Sequence, residues 1–263
     1  MDFTLDEAQR AVADLTADLL RRQSGSGHSA EAFAEDPGYD QSLWKSMAQA
    51  GLLCLAVPSA LGGDGLGALE TALLLAEVGR RAAAVPAFAT LALGVLPVAM
   101  AGTAAAQRQL LAGVAEGEVL LSGAVNEAGQ PFPALPRTTA TPSGDGFLVS
   151  GTKVAVPYAA AARHILVPAT LPDGRVVVPV VDPALAGVKL TRTPSSTGAP
   201  EYTLVLDSVW IAPGRMLGDG VAAALYRCAL AGACAVGDGA VAGVLALTSE
   251  HAGSRNQFGR PVA

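Results

Sequence analysis

Metal-ligand chemistry is all but missing from this chain. Its three histidines, His28, His164 and His251, are dispersed, and Cys54, Cys228 and Cys234 show none of the close pairing a tetrahedral zinc site uses. Three unpaired cysteines also supply no disulfide framework; they read as small core thiols in a reducing, cytoplasmic setting. Positive charge is scarce and scattered, with 17 Lys and Arg against 23 Asp and Glu, a net charge of −6. Nucleic acids and anionic membranes both call for clustered basic residues, so neither is an expected partner. An export signal is missing too, because Asp2, Asp6, Glu7, Arg10, Asp14 and Asp18 break up the apolar run such a signal needs.

What the chain does have is apolar bulk. With 263 residues and 51% hydrophobic content it can bury one large or two moderate cores. Thr4 and Glu7 have capping-box spacing, and Ala8, Ala11, Val12, Leu15, Leu19 and Leu20 then recur at the helical period. A polar stretch, 23–39, precedes a second helix at 41–50 that carries Leu43, Trp44 and Met47. A glycine-dense turn from Val57 to Gly65 follows, and helical patterns return over 66–83, 87–101 and 104–115. From Leu120 the pattern changes to short Val-, Leu- and Ile-rich runs at 120–125, 146–150, 164–168, 175–181, 188–193 and 202–211. A long helix closes the sequence. Arg227 and Asp238 interrupt its apolar run, and its Ala and Gly content suits close packing, so a buried helix rather than a membrane span is expected. The fold class is α+β multidomain: a helical domain at 1–118, a β-barrel or sandwich at 119–214, and the first helix of a second helical domain at 215–263.

Five passages, in order, carry a family resemblance. Val57-Pro58 through Gly62-Gly63-Asp64-Gly65 looks like V/I-P-E-x-x-G-G-x-G, and Asn126-Glu127-Ala128-Gly129 stands where T-E-P-x-A-G-S-D is expected. Ser150 to Tyr158 resembles N-G-x-K-x-W-I-T/S-N. Leu206 to Pro213 is similar to F-D-D-V-x-V-P, and Arg255-Asn256-Gln257-Phe258-Gly259-Arg260-Pro261 to R-x-Q/T-F-G-x-P. The pattern is that of the acyl-CoA dehydrogenases. It spans the whole chain and implies three or more further helices beyond Ala263.

The resemblance implies FAD as cofactor and an acyl-CoA substrate, desaturated between its alpha and beta carbons by a carboxylate base and a hydride acceptor. Two of its flavin-gripping positions are altered. Where the family has a Trp against the isoalloxazine and a hydroxyl two residues on, this chain has Ala155 and Pro157, which offer little contact area and neither a hydroxyl nor an N–H. Asn126, in place of the family's Thr, suits either a flavin contact or a plain turn. Arg255, Gln257 and Phe258 match the signature that reaches the adenosine diphosphate part of a neighbouring subunit's FAD. An Arg at a helix end and a buried Phe would also serve packing alone.

No catalytic residue is assigned, since the usual base lies beyond this sequence and the alternative site on the long helix carries Tyr226-Arg227 instead of a carboxylate. Tyr226 reads as a packing residue whose hydroxyl seeks solvent. The resemblance is most like the flavin-poor partner subunits of actinobacterial steroid side-chain acyl-CoA dehydrogenases, whose opening resembles Met1-Asp2-Phe3 and whose β segment resembles Thr193-Pro194-Ser195-Ser196 to Glu201-Tyr202. Expected partners are a homologous subunit and electron-transfer flavoprotein. A self-sufficient homotetramer with an atypical pocket and a non-catalytic scaffold of the same fold stand as alternatives.

Overall fold

The computed structural model describes residues 4–23, 37–257 and 260–261; most of the polar stretch, with His28, and also Phe258 lie outside them. Helix α1 (Glu7–Gln23) starts two residues later than the expected box would place it. Asp6 and Gln9 exchange side-chain-to-backbone hydrogen bonds at 3.0 and 2.8 Å, a reciprocal cap that satisfies two end groups at once. Helix α2 (Gln41–Gln49) is capped by Asp40 and buries Leu43, Trp44 and Met47. Helix α3 (Ala68–Arg80) follows the glycine turn. A largely apolar π-helix, Phe88–Val95, then runs into α4 (Leu96–Ala101), and α5 (Ala104–Leu111) is capped by Thr103.

The expected barrel or sandwich takes the form of one mixed sheet. Its strands are β1 (Leu121–Gly123), β2 (Thr139–Ser143), β3 (Gly146–Pro157), β4 (His164–Leu166), β5 (Ala169–Thr170), β6 (Val176–Val181), β7 (Val188–Thr193), β8 (Glu201–Ile211) and β9 (Met216–Leu217). Among the described residues the order is β1-β4-β6-β5-β2-β3-β8-β7, with β9 against β6. Strands β2, β5 and β9 have no hydrophobic run to announce them; β2 reads Thr-Ala-Thr-Pro-Ser and is held by its pairing with β3. One core runs from the helices into the sheet, joining Leu93, Val95 and Leu110 to Leu121, Leu166, Val180 and Leu225. A second lies within the sheet around Val149, Val156, Ile165 and Leu204.

Helix α6 (Asp219–Ser254) corrects the buried-helix expectation. Its first turns are buried through Val221, Leu225 and Ala229, but Val241, Val244, Leu245 and Leu247 are each more than 60% exposed. By length and composition it is the one described helix able to cross a membrane. Its remaining buried stripe, Gly232, Gly239 and Gly243, is a close-packing seam: a Cβ on Gly239 would overlap the carbonyl of Ala76, and one on Gly243 that of Arg80. Small residues there bring the α6 and α3 backbones together, while the opposite face has no described neighbour. Of the cysteines only Cys228 is a core thiol; Cys234 is exposed on α6.

Candidate functional site

Two groups of residues carry the sequence expectations, and they lie at opposite ends of α6. The first gathers where β1 leaves the sheet and meets β3. The carbonyl of Asn126 accepts the Val154 N–H at 3.1 Å, which fixes its backbone against β3. Its side-chain Oδ1 is closed off from solvent and has no hydrogen-bond partner. An acceptor left so costs about 1–3 kcal/mol, so the arrangement favours an incoming donor.

Beside it, the Glu127 carboxylate takes hydrogen bonds from the Arg137 and Thr138 N–H groups (2.7 and 2.9 Å), the Thr138 hydroxyl (2.7 Å) and the Lys153 ammonium (2.8 Å). Lys153 is wholly buried. Burial by itself would raise the Glu127 pKa, but these donors outweigh it and hold the carboxyl at about 2. Burial draws the Lys153 ammonium downward and Glu127 works to keep it charged. This ion pair went unread in the sequence, because Glu127 and Lys153 are 26 residues apart on different elements. The spacing of T-E-P and N-G-x-K motifs on adjoining strands was the signal that could have found it.

Past Lys153 the β3–β8 register slips, from Lys153 opposite Leu204 to Val156 opposite Tyr202. One extra residue is accommodated as a bulge, with Ala155 at φ 51° and its side chain exposed. A left-handed conformation at a residue with a Cβ costs about 1–2 kcal/mol. Pro157 lies two residues on, its carbonyl accepting the Ser122 hydroxyl at 2.6 Å. Asn126, Ala155 and Pro157 thus fall in one neighbourhood.

Tyr226, near the start of α6, faces the same neighbourhood. Its hydroxyl donates to the Pro133 carbonyl at 3.0 Å, and its ring meets Phe132 edge-on, centroids 6.1 Å apart. The hydroxyl is therefore bonded to backbone instead of seeking solvent. Burial, then the Glu127 charge, pushes its pKa up to about 12, which makes the phenol a poor base. Phe132 is held at φ 50°, a strained conformation of order 1–3 kcal/mol.

The second group is Arg255 and Gln257. Both are exposed, directly after α6, where Asn256–Gln257 pairs antiparallel with Arg260–Pro261. At 1.5 Å per helical residue, Arg255 lies about 44 Å along the helix from Tyr226. The fold does not bring this group to the Asn126 neighbourhood.

His164 belongs to neither group. Its buried ring accepts from Arg215 at 3.3 Å. Burial, then the Arg215 and Arg163 charges, holds its pKa at about 4 against the pull of Asp182. Among the described residues no cluster of three or more His, Cys, Asp or Glu is placed to hold a metal ion.

A helical unit, a mixed sheet with a bulged β3 and a long helix ending in an Arg-x-Gln hairpin define a flavoenzyme-type architecture. The chain belongs to the acyl-CoA dehydrogenase family. A model of the acyl-CoA dehydrogenase N-terminal domain matches residues 6–118. The Acyl-CoA dehydrogenase FadE28 of Mycobacterium tuberculosis is 40% identical over 263 residues, all of this chain and 69% of the relative. Among solved structures, a variant of the Tcur3481-Tcur3483 steroid ACAD is 36% identical at a TM-score of 0.91, covering 98% of this chain and 70% of that one. The ChsE4-ChsE5 complex from Mycobacterium tuberculosis is 29% identical at a TM-score of 0.92, covering 100% and 71%.

Proposed function

We propose that this chain is the flavin-poor subunit of a heteromeric, FAD-dependent acyl-CoA dehydrogenase, cytoplasmic, that desaturates a steroid side-chain CoA thioester. The carrying observation is the separation of Arg255 and Gln257 from the Asn126 neighbourhood by about 44 Å of helix. Polar groups that far apart serve different ligands, and an exposed Arg at the end of a protruding helix suits a diphosphate held by another subunit. The two solved relatives named above are a steroid ACAD and a two-component complex, which supports the same reading.

The residues present fit FAD in two separate ways. Arg255 and Gln257 offer exposed donors to its diphosphate; the buried, unpaired Asn126 Oδ1 suits a planar ring with an N–H. FAD, when bound, supplies the two-electron acceptor that oxidation of the thioester needs. Asn126 would orient a ring through its acceptor while Glu127 and Lys153 hold its backbone in place. Ala155 and Pro157 leave the neighbouring surface without an aromatic wall or a hydroxyl. Tyr226, neutral and bonded to Pro133, holds its proton and does not serve as the base. Electron-transfer flavoprotein is the expected electron-accepting partner.

The orphaned Asn126 acceptor is also what favours a second reading, a homotetramer in which every chain holds its own ring. Co-expression with a homologous subunit, followed by flavin absorbance per complex, separates the two. The first reading expects fewer flavins than chains and no flavin on this chain alone; one flavin per chain in a homomer overturns it. In the complex, Arg255→Ala should weaken FAD binding at least tenfold, consistent with loss of a charge-assisted contact of about 1.5–3 kcal/mol. Unchanged affinity would favour the scaffold reading.

A further inference from the structure

We propose that His164 and Arg215 form an acid-released fastening at the joint between the sheet and α6: the neutral imidazole holds the turn Pro213–Arg215 to β4, and a proton taken up by the ring sets that turn free. Neither residue carries any part of the flavin reading given above.

The bond joins a group that can only donate to one whose acceptor can be switched off. A guanidinium has no acceptor, so with Arg215 at 3.3 Å from its Nδ1 the His164 ring accepts there and carries its own proton on Nε2. A second proton, on Nδ1, ends that bond and sets two cations against each other. The ring is 6% exposed, on a strand paired with β1 on one side and β6 on the other. Among the described residues, the other charges acting on it are Arg163, just before β4, and Asp182, just after β6, which pair with each other at 3.9 Å. β1 and the π-helix, both packed against β4, contribute no titratable side chain. A charged imidazole would thus meet two positive groups and one carboxylate already shared. Burial, then Arg215 and Arg163, hold its pKa at about 4 against the pull of Asp182.

The two ends of the bond differ in what keeps them in place. His164 is enclosed and its strand is paired on both sides. Arg215 is half-buried and ends a single 3₁₀ turn whose Pro213 and Gly214 are exposed. A Cβ on Gly214 would meet nothing within 4 Å, and the turn walls one side of a cavity of about 250 Å³ that Ala101, Gly102 and Thr103 also line. The turn has room to move and the guanidinium can swing to water, so Arg215 is the end that gives way. Beyond the turn, Leu217 pairs with Val178, and Val221, Leu225 and Ala229 are buried, so release stops there and leaves α6 seated. The sign follows from the depressed pKa: the fastening contributes fully above the ordinary value of 6.5 and is lost as pH falls toward 4.

The turn carries two hydrogen-bonded amides that report on it, Arg215 N–H to the Ala212 carbonyl at 2.9 Å and Met216 N–H to that of Pro213. The test is NMR-detected hydrogen exchange on the full chain at about pH 7 and about pH 5. After correction for the intrinsic pH dependence of exchange, both amides should open about 10-fold more often at the lower pH, the factor expected when a ring of depressed pKa regains most of its ordinary value on release. The Ala124 and Val167 amides, bonded to the Leu166 and Pro179 carbonyls, should keep their protection. In His164→Gln an amide oxygen can still accept from Arg215 but takes up no proton, so the turn should exchange alike at both pH values. Constant protection of the turn in wild type, sheet and turn loosening together, or an acid response that survives His164→Gln overturns the proposal. Arg215→Met, a change on the turn rather than in the sheet, supplies a second measurement. With the guanidinium gone, the NMR-titrated pKa of His164 should rise by about one unit or more, and an unchanged value would remove Arg215 from the fastening.

Discussion

Up to Lys153, strand β3 is bonded on its inner side to everything that matters for folding: β2 and β8 flank it, Val149 is in the sheet core, and the Lys153 ammonium closes a buried ion pair. Beyond Lys153 the register slips, Ala155 turns outward in a strained conformation and Pro157 contributes a carbonyl where a side chain could have worked. The chain matches the family pattern in the first half and departs from it in the second. Side chains on the exposed side of the bulge can change without a folding penalty, whereas Glu127 and Lys153 each leave a buried charge if the other is lost. The difference in burial across two residues thus separates a stretch tied to folding from one that is free to vary.

The largest effect that would break this contrast is on Lys153. Lys153→Met should cost about 3–5 kcal/mol in urea unfolding, because it strands the Glu127 carboxylate; a loss below 1 kcal/mol would mean the pair is no anchor. Pairing it with Glu127→Leu should recover a good part of that cost, as a double-mutant cycle would show.

Acid provides the next test. Glu127 has its pKa depressed from 4.5 to about 2, so its contribution is complete above pH 4.5 and is lost as pH falls toward 2. The loss is about 3 kcal/mol at 1.36 kcal/mol per unit. Stability against pH should slope steeply there in wild type and flatten in Glu127→Gln, and equal slopes would remove the carboxylate from the account.

The smallest effect lies beyond the bulge. Ala155→Gly relieves a left-handed residue and should raise stability by up to about 1 kcal/mol, seen as a higher urea midpoint at unchanged slope. A destabilisation of that size would show that the Ala155 side chain has a partner after all.

The helices and the longer strands could be read from the sequence because their apolar residues repeat at periods of 3.6 and 2. Asp6 and Gln9 were passed over for Thr4 and Glu7, since both pairs have the same spacing and only backbone geometry decides between them. Strand β2 was missed because a Thr-Pro-Ser segment has no pattern of its own and is a strand only through β3. Asn126, Ala155 and Pro157 were singled out by motif, and the fold places them in one neighbourhood. Invisible were the things created by long-range approach: the Glu127–Lys153 pair, the Tyr226 bond to Pro133 and the Phe132 strain. A buried Lys looks like any surface Lys until the partner 26 residues away is in place.

The glycine seam of α6 has a mechanical consequence. From Val236 to Gly243 the helix is keyed into α3 backbone to backbone, Gly79 against the Val236 carbonyl and Gly239 and Gly243 against those of Ala76 and Arg80, so a side chain rolled or slid into any of these positions would meet a carbonyl. Its remaining 11 residues, Val244–Ser254, overhang that bearing by about 16 Å. The helix is a cantilever, and its N-terminal helices set the angle at which Arg255 is presented to whatever molecule stands opposite.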